Sequence, residues 1–397
     1  MAMTMTDPLR RAGLDRRAFL RGFTGCCLAA SPLLTPMTLA SAPSENRLVV
    51  IVLRGAMDGL DVLRPVGDPA YAALRPGLAS GAEALPLDGF YALHPGLTDL
   101  LPLWQAGQLG FAHAVSTPYR DKRSHFEGQD ILEAGLPAMT GQGARDSGWL
   151  NRLAGLMPGA TARTTFDIGR EPDLILRGPA PASTWYPQPQ PGLSSQARRL
   201  ADMVFHEDPL FRDQAAAMFD LAEEEAGGTD RSQPQHLQVA DYLAAQLAAE
   251  TRLAAFSITG WDTHGGQKVA LKRPLKELSE TILRLRQQLG PVWDRTAILA
   301  LTEFGRTARE NGSGGTDHGT GGAMLMAGGA VRGGRVFADW PGLEEASLYD
   351  RRDLQPTRDV RALAAGAIRT LYGTAAGDLE ARVFPGLDMA GTPQIVL

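Results

Sequence analysis

The sequence has only two cysteines, Cys26 and Cys27, and both lie in an N-terminal stretch that precedes the first predicted strand. If that stretch is a leader, as argued below, the mature chain has no thiol. A disulfide framework, a cysteine nucleophile and cysteine metal ligands are then excluded. An excess of positive charge is also lacking, since 39 Lys and Arg residues oppose 44 Asp and Glu residues, a net charge of −5. The protein is therefore not expected to bind nucleic acid in general.

No Gly/Ser-rich or Pro-rich linker divides the chain. Its 397 residues are 44% hydrophobic and 21% charged, which is enough for a large core and argues against disorder. Large α/β folds of this length commonly form one unit. We therefore expect residues 43–397 to form a single globular domain.

The N-terminus resembles an export signal. Arg16 and Arg17 precede a hydrophobic pair, as in the twin-arginine motif, and the apolar stretch 22–40 follows. Pro32 and Pro36 interrupt this stretch, so no stable membrane anchor is expected. We predict a twin-arginine signal peptide over residues 1–42, the twin-arginine translocase as a partner during export, and a periplasmic or extracellular protein.

Short apolar runs predict the strands of an α/β sheet. Continuous hydrophobic runs of this kind are typical of central parallel strands that are covered on both faces. The segments between them have the polar-apolar period of surface helices. The sequence therefore predicts an α/β/α fold of three layers with a mostly parallel sheet. Predicted strands cover residues 47–53, 109–115, 253–258, 295–301 and 323–327, and predicted helices include 194–205, 208–225, 233–252, 268–289 and 358–372.

Acidic residues and histidines follow three of these strands. Asp58 follows the first, Asp262 and His264 follow the third, and Glu303 follows the fourth, after which a glycine-rich loop leads to the Asp317-His318 pair. Parallel strands bring such loops to one sheet edge, where ligands usually bind. Histidines and carboxylates suit a metal site. The alternatives are ordinary turn chemistry at Asp58 and a surface loop around an incidental His318.

Ser124 lies at the predicted start of a helix. With Glu127 three residues later it has the pattern of a capping box, which is a structural role. The same position suits a nucleophile, because a helix N-terminus stabilises anions. Both interpretations stay open on the residues alone.

Six segments in this order resemble a bacterial exported family, domain of unknown function 1501, which is similar to the alkaline phosphatase-like superfamily. They are RGAMDG, RSHFEGQD, GWLNR, TGWDTHGGQ, TEFGRT and NGSGGTDHGTGG, and the resemblance runs over residues 47–372.

This resemblance implies an alkaline phosphatase-like core with Asp58, Asp262 and His264 as metal ligands and Ser124 as the nucleophile. Glu303 would stand for a carboxylate ligand, but Phe304 stands where the superfamily has a histidine. The missing imidazole would have to be replaced by His125 or Asp317. Loss of catalysis is the alternative.

A second serine has a motif of its own. Residues 116–120 fit the pattern S-x-P-x-R, which resembles the formylglycine signature of sulfatases. The residues that follow lack the usual continuation. We therefore favour Ser124 over Ser116.

These observations together predict an exported, metal-dependent hydrolase-like protein. Its substrate would be a phosphate or sulfate ester of a small molecule or glycan, attacked by Ser124, with Arg54 or Arg306 neutralising charge in the transition state. One or two divalent ions would bind; zinc suits mixed His and carboxylate ligands, and manganese, magnesium or calcium a more oxygen-rich set. The alternative is a non-catalytic exported binding protein with the same fold. The expected metal ligands are Asp58, Asp262, His264, Glu303, Asp317 and His318.

Overall fold

The computed structural model describes residues 44–80, 84–120, 122–141, 143–169, 172–187 and 233–397. The predicted leader over 1–42 and the predicted helices over 194–205 and 208–225 lie outside them.

A mixed, mostly parallel sheet forms the centre of the protein. The described strands are β1 (Arg47–Arg54), β2 (Leu63–Arg64), β3 (Leu85–Pro86), β4 (Ala92–Leu93), β5 (Leu109–Ser116), β6 (Thr165–Ile168), β7 (Ser183–Trp185), β8 (Leu253–Thr259), β9 (Thr296–Leu301), β10 (Gly322–Ala327), β11 (Val336–Phe337) and β12 (Arg358–Asp359). The order in the central sheet is β11-β5-β10-β9-β1-β8-β6-β7, with β12 also paired to β5, and of these described strands only β10 runs antiparallel to its neighbours. A separate three-stranded sheet has the order β2-β4-β3.

Helices cover both faces of this sheet. They are α1 (Gly59–Val62), α2 (Tyr71–Leu74), α3 (Leu101–Gln105), α4 (His125–Ala134), α5 (Trp149–Ala154), α6 (Gln235–Ala248), α7 (Gln267–Ala270), α8 (Lys272–Leu289), α9 (Val360–Tyr372) and α10 (Ala376–Asp378). The predicted helix 268–289 is divided into α7 and α8. Pro274 has no amide proton for the carbonyl of Ala270, which removes a hydrogen bond at this point.

Strand β1 shows why the layers form. Val49, Ile51 and Leu53 belong to one hydrophobic core, and the alternate residues Leu48 and Val50 to another. Successive side chains of a strand point to opposite faces, so a continuous apolar run needs cover on both. Helices α3, α6 and α8 provide one cover and α4, α5 and α9 the other. The predicted three-layer α/β/α class with a mostly parallel sheet is confirmed.

The carboxyl ends of β1, β5, β8 and β9 meet at one edge of the sheet. Strands β8 and β9 pair in parallel with β1. Strand β10 is antiparallel to both β9 and β5, so it begins at the edge where those two strands end. The loops that follow the four strands, and the loop that enters β10, are therefore neighbours. Among the described residues, no helix has both the length and the apolar content needed to cross a membrane.

Candidate metal centre

Three side chains from three of these loops form a group of metal-binding atoms. One ligand atom each from His125, Asp262 and His318 lie within 4.8 Å of one another. His318 Nε2 is 3.2 Å from Asp262 Oδ1, and His125 Nε2 is 3.4 Å from Asp262 Oδ2. Asp262 is therefore shared between two imidazoles.

His264 extends this group on its solvent side. Its Nε2 lies 3.0 Å from Asp262 Oδ1 and 2.9 Å from His318 Nε2. Asp262 Oδ1, His264 Nε2 and His318 Nε2 thus lie between 2.9 and 3.2 Å from one another, close enough for one ion to contact all three. Asp262 and His264, which are two apart in the sequence, converge as the D-x-H pattern predicts.

Each of the three imidazoles is held through Nδ1 by a hydrogen-bond acceptor. His125 Nδ1 bonds Glu303 Oε1 at 2.7 Å. His264 Nδ1 bonds Asp317 Oδ1 at 3.2 Å, and His318 Nδ1 bonds the carbonyl oxygen of Arg123 at 2.9 Å. Glu303, Asp317 and the Arg123 carbonyl are acceptors, so each ring can donate through Nδ1. His125 Nε2 makes no hydrogen bond among the described residues, which places the proton of the neutral His125 ring on Nδ1. The Nε2 atoms of His264 and His318 lie within hydrogen-bond distance of Asp262 Oδ1 as well, and all three Nε2 atoms face Asp262.

This arrangement fits a cation. Lone pairs of His264 and His318 that face each other at 2.9 Å repel unless a proton or a metal ion lies between them. His125 Nε2 is buried and has no hydrogen-bond partner among the described residues, so one good ligand atom is left over. Metal-binding histidines commonly donate their other ring N–H to a carboxylate or a carbonyl, as these three do.

Asp262 is kept ionised by Arg306. Burial raises the pKa of Asp262, but the hydrogen bond and the charge of the guanidinium outweigh burial and lower the pKa below its usual value. Arg306 Nη2 lies 2.5 Å from Asp262 Oδ1. Burial also lowers the pKa of His318, which favours its neutral, metal-binding form.

The predicted ligand Glu303 lies behind the cluster. It is fully buried, and its Oε1 accepts hydrogen bonds from His125, Gln129 and the amide of Gly55. The bond to Glu303 raises the pKa of His125, while His125 and the other donors outweigh burial and lower the pKa of Glu303. Glu303 therefore contacts the far side of the His125 ring and is not one of the atoms that face Asp262. Asp317 has the same relation to His264, because its Oδ1 bonds both His264 and Asn311.

Asp58 is not part of the cluster. It caps α1 by accepting the amide of Leu60, and it pairs with Arg75 and Gln267 in the interior. Both of its oxygens are thereby engaged, which agrees with the turn role that the sequence left open.

The two expected oxyanion arginines are also engaged. Arg54 Nη2 pairs with Glu133 at 2.7 Å and with Asp173 at 3.0 Å. Arg306 is buried and, besides Asp262, binds backbone oxygens of the surrounding loops, so it connects the loops that carry the ligands. These oxygens belong to Gly55, Ala56, Trp261 and Thr316.

Ser124 lies directly beside the cluster. Its neighbours are Arg123, whose carbonyl binds His318, and His125 itself. Ser124 is the N-cap residue of α4, as predicted, but its side chain makes no capping hydrogen bond, and Glu127 pairs with Lys122 instead. The capping-box expectation is therefore wrong in its side-chain bonds, since the hydroxyl is not used by the helix. The Ser116 hydroxyl, in contrast, donates to the carbonyl of Thr117 and is buried.

Arg123 has an unusual backbone. Its φ of 51° is in the left-handed region, which is uncommon for a residue other than glycine. This turn directs the Arg123 carbonyl to His318 and starts α4 at His125. Strain of this kind is often found at functional sites.

Phe304 forms the apolar wall of the cluster. Its ring stacks on His125, with ring centroids 5.1 Å apart, and lies 5.2 Å from His318. A hydrocarbon ring offers no ligand atom, and the imidazole beside it is that of His125, from another loop. The sequence offered one signal for His125, namely its place directly after the predicted helix start at Ser124.

The fold and the site define an α/β protein with a candidate cation-binding centre at the carboxyl edge of its sheet. The chain belongs to the DUF1501 family, described as a protein of unknown function, whose model matches residues 129–377. This confirms the resemblance drawn from the sequence motifs. Ser124 and His125 lie just before the matched range. No curated protein sequence matches the chain.

Solved structures share a coarse likeness with the chain. The lipoteichoic acid synthase LtaP from Listeria monocytogenes is 9% identical with a TM-score of 0.35, over 66% of this chain and 57% of that one. A protein in the alkaline phosphatase superfamily from Vibrio parahaemolyticus is 11% identical with a TM-score of 0.37, over 83% and 68%. The C-terminal periplasmic domain of EcEptC from Escherichia coli, in complex with Zn, is 10% identical with a TM-score of 0.34, over 73% and 74%. At these scores the likeness says nothing about the residues of the site.

Proposed function

We propose that this protein is an exported, zinc-dependent hydrolase of phosphate or sulfate esters. The observation that carries the proposal is the convergence of three imidazole Nε2 atoms on Asp262, each ring being held at Nδ1 by an acceptor. Four donors of this kind, three nitrogens and one oxygen, suit zinc better than magnesium or calcium, which prefer oxygen ligands.

His125, Asp262, His264 and His318 would hold a single ion. A bound zinc ion would supply a Lewis acid that withdraws charge from an ester oxygen. Arg306 keeps Asp262 charged and in place, while Glu303 and Asp317 orient two of the rings. Manganese, magnesium or calcium would suit a more oxygen-rich set of ligands.

Ser124 would attack the phosphorus or sulfur atom and displace the alcohol of the ester, and water would then release the phosphate or sulfate from the serine. Its hydroxyl lies at the N-terminus of the ten-residue helix α4 and is not used as a cap. The N-terminal half-charge of the helix would stabilise the negative charge that develops there. The three imidazoles would not accept the hydroxyl proton, because their Nε2 atoms would hold the ion. The positive charge of a bound ion would instead lower the pKa of the hydroxyl, and its proton would pass to water at the open side of the cluster.

The exposure of the cluster and the predicted export signal support a proposal for the substrate class. An open cluster, in which the side chains of Asp262 and His264 are 44% and 47% exposed, admits an ester group at the end of a larger molecule. We therefore propose a small-molecule or glycan ester outside the cytoplasm. Replacing Arg16 and Arg17 by lysine should retain the protein in the cytoplasm, as measured by cell fractionation.

The experiment that tests the activity compares two serines. Protein purified without chelator would be analysed for metal and assayed on aryl phosphate and aryl sulfate esters. We expect about one zinc per chain. Ser124→Ala should lower kcat by about 10³-fold or more, while Ser116→Ala, the matched control, should leave it unchanged. A full loss in Ser116→Ala alone would identify a sulfatase-like nucleophile instead.

A non-catalytic binding protein is the second candidate. It is favoured by Phe304, whose apolar ring lies on one side of the cluster at the position where the superfamily has a histidine. Zinc-loaded protein that hydrolyses neither ester would support this candidate.

A further inference from the structure

Phe126 is exposed directly beside the histidine cluster. It follows His125 in the first turn of α4 and is 86% exposed. Among the described residues it is the only aromatic one in the set of exposed large hydrophobic side chains, the others being Val66, Val269 and Leu397. A single exposed aliphatic side chain is ordinary on a protein surface. An aromatic ring left almost wholly in water next to a candidate site indicates a binding surface.

Phe126 does not serve the core in the way that Phe304 does. Phe304 is 4% exposed and stacks on His125. Phe126 is next to the same histidine in the chain but buries little surface, so folding gains little from it. Replacing Phe126 should therefore leave the fold and the zinc content unchanged, which makes a role in binding open to test.

The charged side chains that flank Phe126 are paired with one another. Lys122 Nζ lies 2.7 Å from Glu127 Oε1, and Arg145 Nη2 lies 2.5 Å from Asp130 Oδ2. Asp130 is one helical turn beyond Phe126, on the same side of α4. Each pair is neutral as a whole but still offers hydrogen-bond donors and acceptors. These surroundings suit an uncharged group with several hydroxyls rather than a second anion.

A sugar ring has the size and the chemistry for this position. The face of an aromatic ring is negative, so it attracts the weakly positive C–H groups on one face of a sugar, while the hydroxyl groups stay at the edge of the sugar. A stable protein partner would need about 800 Å² of surface, far more than one side chain provides. The exposed ring therefore matches one sugar unit better than a protein interface.

We propose that Phe126 is a specificity-determining residue that stacks on the sugar ring bearing the ester group, so that the substrate of this site is a phosphorylated or sulfated glycan. The inference rests on the proposed function in one respect, namely that the ester group binds at the histidine cluster. Ser124 and His125 would then contact the ester group. Phe126 would contact the alcohol part, which is the group that Ser124 displaces.

The test measures binding without turnover, in Ser124→Ala protein purified without chelator and labelled with ¹³C-phenylalanine. The probes are the 6-phosphates and 6-sulfates of glucose and galactose. Ethyl phosphate and ethyl sulfate have the same anionic groups but no ring. The ring signal of Phe126, assigned by its loss in Phe126→Ala, should shift with a sugar ester and stay in place with the ethyl esters. Adding Phe126→Ala should weaken binding of that sugar ester by about 10-fold and leave the Kd of the ethyl ester unchanged.

Two further variants are the controls. Phe126→Tyr keeps an aromatic face and should bind the sugar ester as tightly as the Ser124→Ala parent. Val66→Ala removes another exposed hydrophobic side chain, in the turn after β2, and should change neither the Kd nor the Phe126 signal.

The outcomes separate the two proposals. A Phe126 signal that none of the four sugar esters moves would overturn the role of Phe126, whether or not the wild type hydrolyses esters. An equal loss of sugar and ethyl esters in Phe126→Ala would overturn it as well. A shift and a selective loss, with a wild type that hydrolyses no ester, would instead defeat the proposed hydrolase and leave Phe126 as part of a sugar-binding site.

Discussion

Arg75 Nη1 lies 2.6 Å from Asp58 Oδ2, and neither side chain is more than 1% exposed. Arg75 also donates to the carbonyl oxygens of Thr307 and Ala308, in the loop after β9. This ion pair therefore joins the turn after β1 to the loop that carries Asp317 and His318. Asp58 therefore lies outside the histidine cluster and helps to join two of the loops around it.

Asp58→Asn tests this assignment. It leaves Arg75 buried without a counter-charge, which should cost about 3–5 kcal/mol of unfolding free energy in urea titrations. The double variant Asp58→Asn/Arg75→Met should recover part of that loss. The zinc content of the folded single variant should equal that of wild type, and a marked loss of zinc in a folded variant would make Asp58 a ligand.

Replacing a proposed zinc ligand should lower zinc affinity more than replacing a residue that only hydrogen-bonds to a ligand. Asp262→Ala removes the group that the imidazoles share, so we expect its zinc Kd to rise well beyond that of Asp317→Asn. For Asp317→Asn, which only loosens His264, we expect a rise of about 10-fold. Competition with a chromogenic chelator measures both. Equal losses would mean that Asp317 itself contacts the ion.

Gly315 and Gly312 both lie in the loop between β9 and β10, but they differ in the space available for a side chain. A Cβ at Gly315 would lie 2.4 Å from the carbonyl oxygen of Thr263 and 2.5 Å from the carbonyl carbon of His264, whereas a Cβ at Gly312 meets nothing within 4 Å. Gly315→Ala should therefore displace the His264 loop and lower both zinc affinity and thermal stability. Gly312→Ala should leave both unchanged, and the reverse order would contradict the loop geometry.

Stability should fall as pH rises because of Asp167. Burial, with the nearby charge of Asp173, raises the pKa of Asp167 from 3.8 to about 8, and its Oδ1 has no hydrogen-bond partner among the described residues. Between about pH 4 and about pH 8 the unfolded chain loses this proton while the folded chain keeps it, so folding is increasingly opposed as pH rises.

Asp167→Asn imitates the protonated acid and removes this dependence. Its advantage over wild type in urea unfolding should grow across that pH window, by about 2–5 kcal/mol in all. Asp339→Asn, a change at an exposed carboxylate, is the control and should show no such trend. Parallel pH profiles for wild type and Asp167→Asn would contradict the prediction.

The main strands could be predicted because they are buried on both faces. The apolar runs at 47–53, 109–115 and 253–258 match β1, β5 and β8 within a residue or two. Strands β6 and β7 were not among the strands predicted from the sequence. They have four and three residues, too few to show a period, and their strand form depends on pairing with β8 and with each other.

The site could be predicted only in part. Asp262, His264 and His318 lie together in the structure, and the sequence could predict this because all three belong to loops at the carboxyl edge of the sheet. The roles of Glu303 and Arg306 could not be read from the sequence, because they depend on which side chain each one faces across the loops. The partner of Glu303 is His125, 178 residues away in the chain. His125 was considered only as a substitute ligand, since one histidine after a helix cap is common.

Because β10 runs antiparallel to β9, the loop between them can vary in length without disturbing the sheet. The connection from β9 to β10 leaves and re-enters the sheet at the same edge, so it never has to pass across a face. Insertions near its exposed tip would lengthen the rim of the histidine cluster without changing the path of a strand. Variation in what this scaffold recognises is therefore expected to accumulate in this segment, while the strands beneath it keep their register.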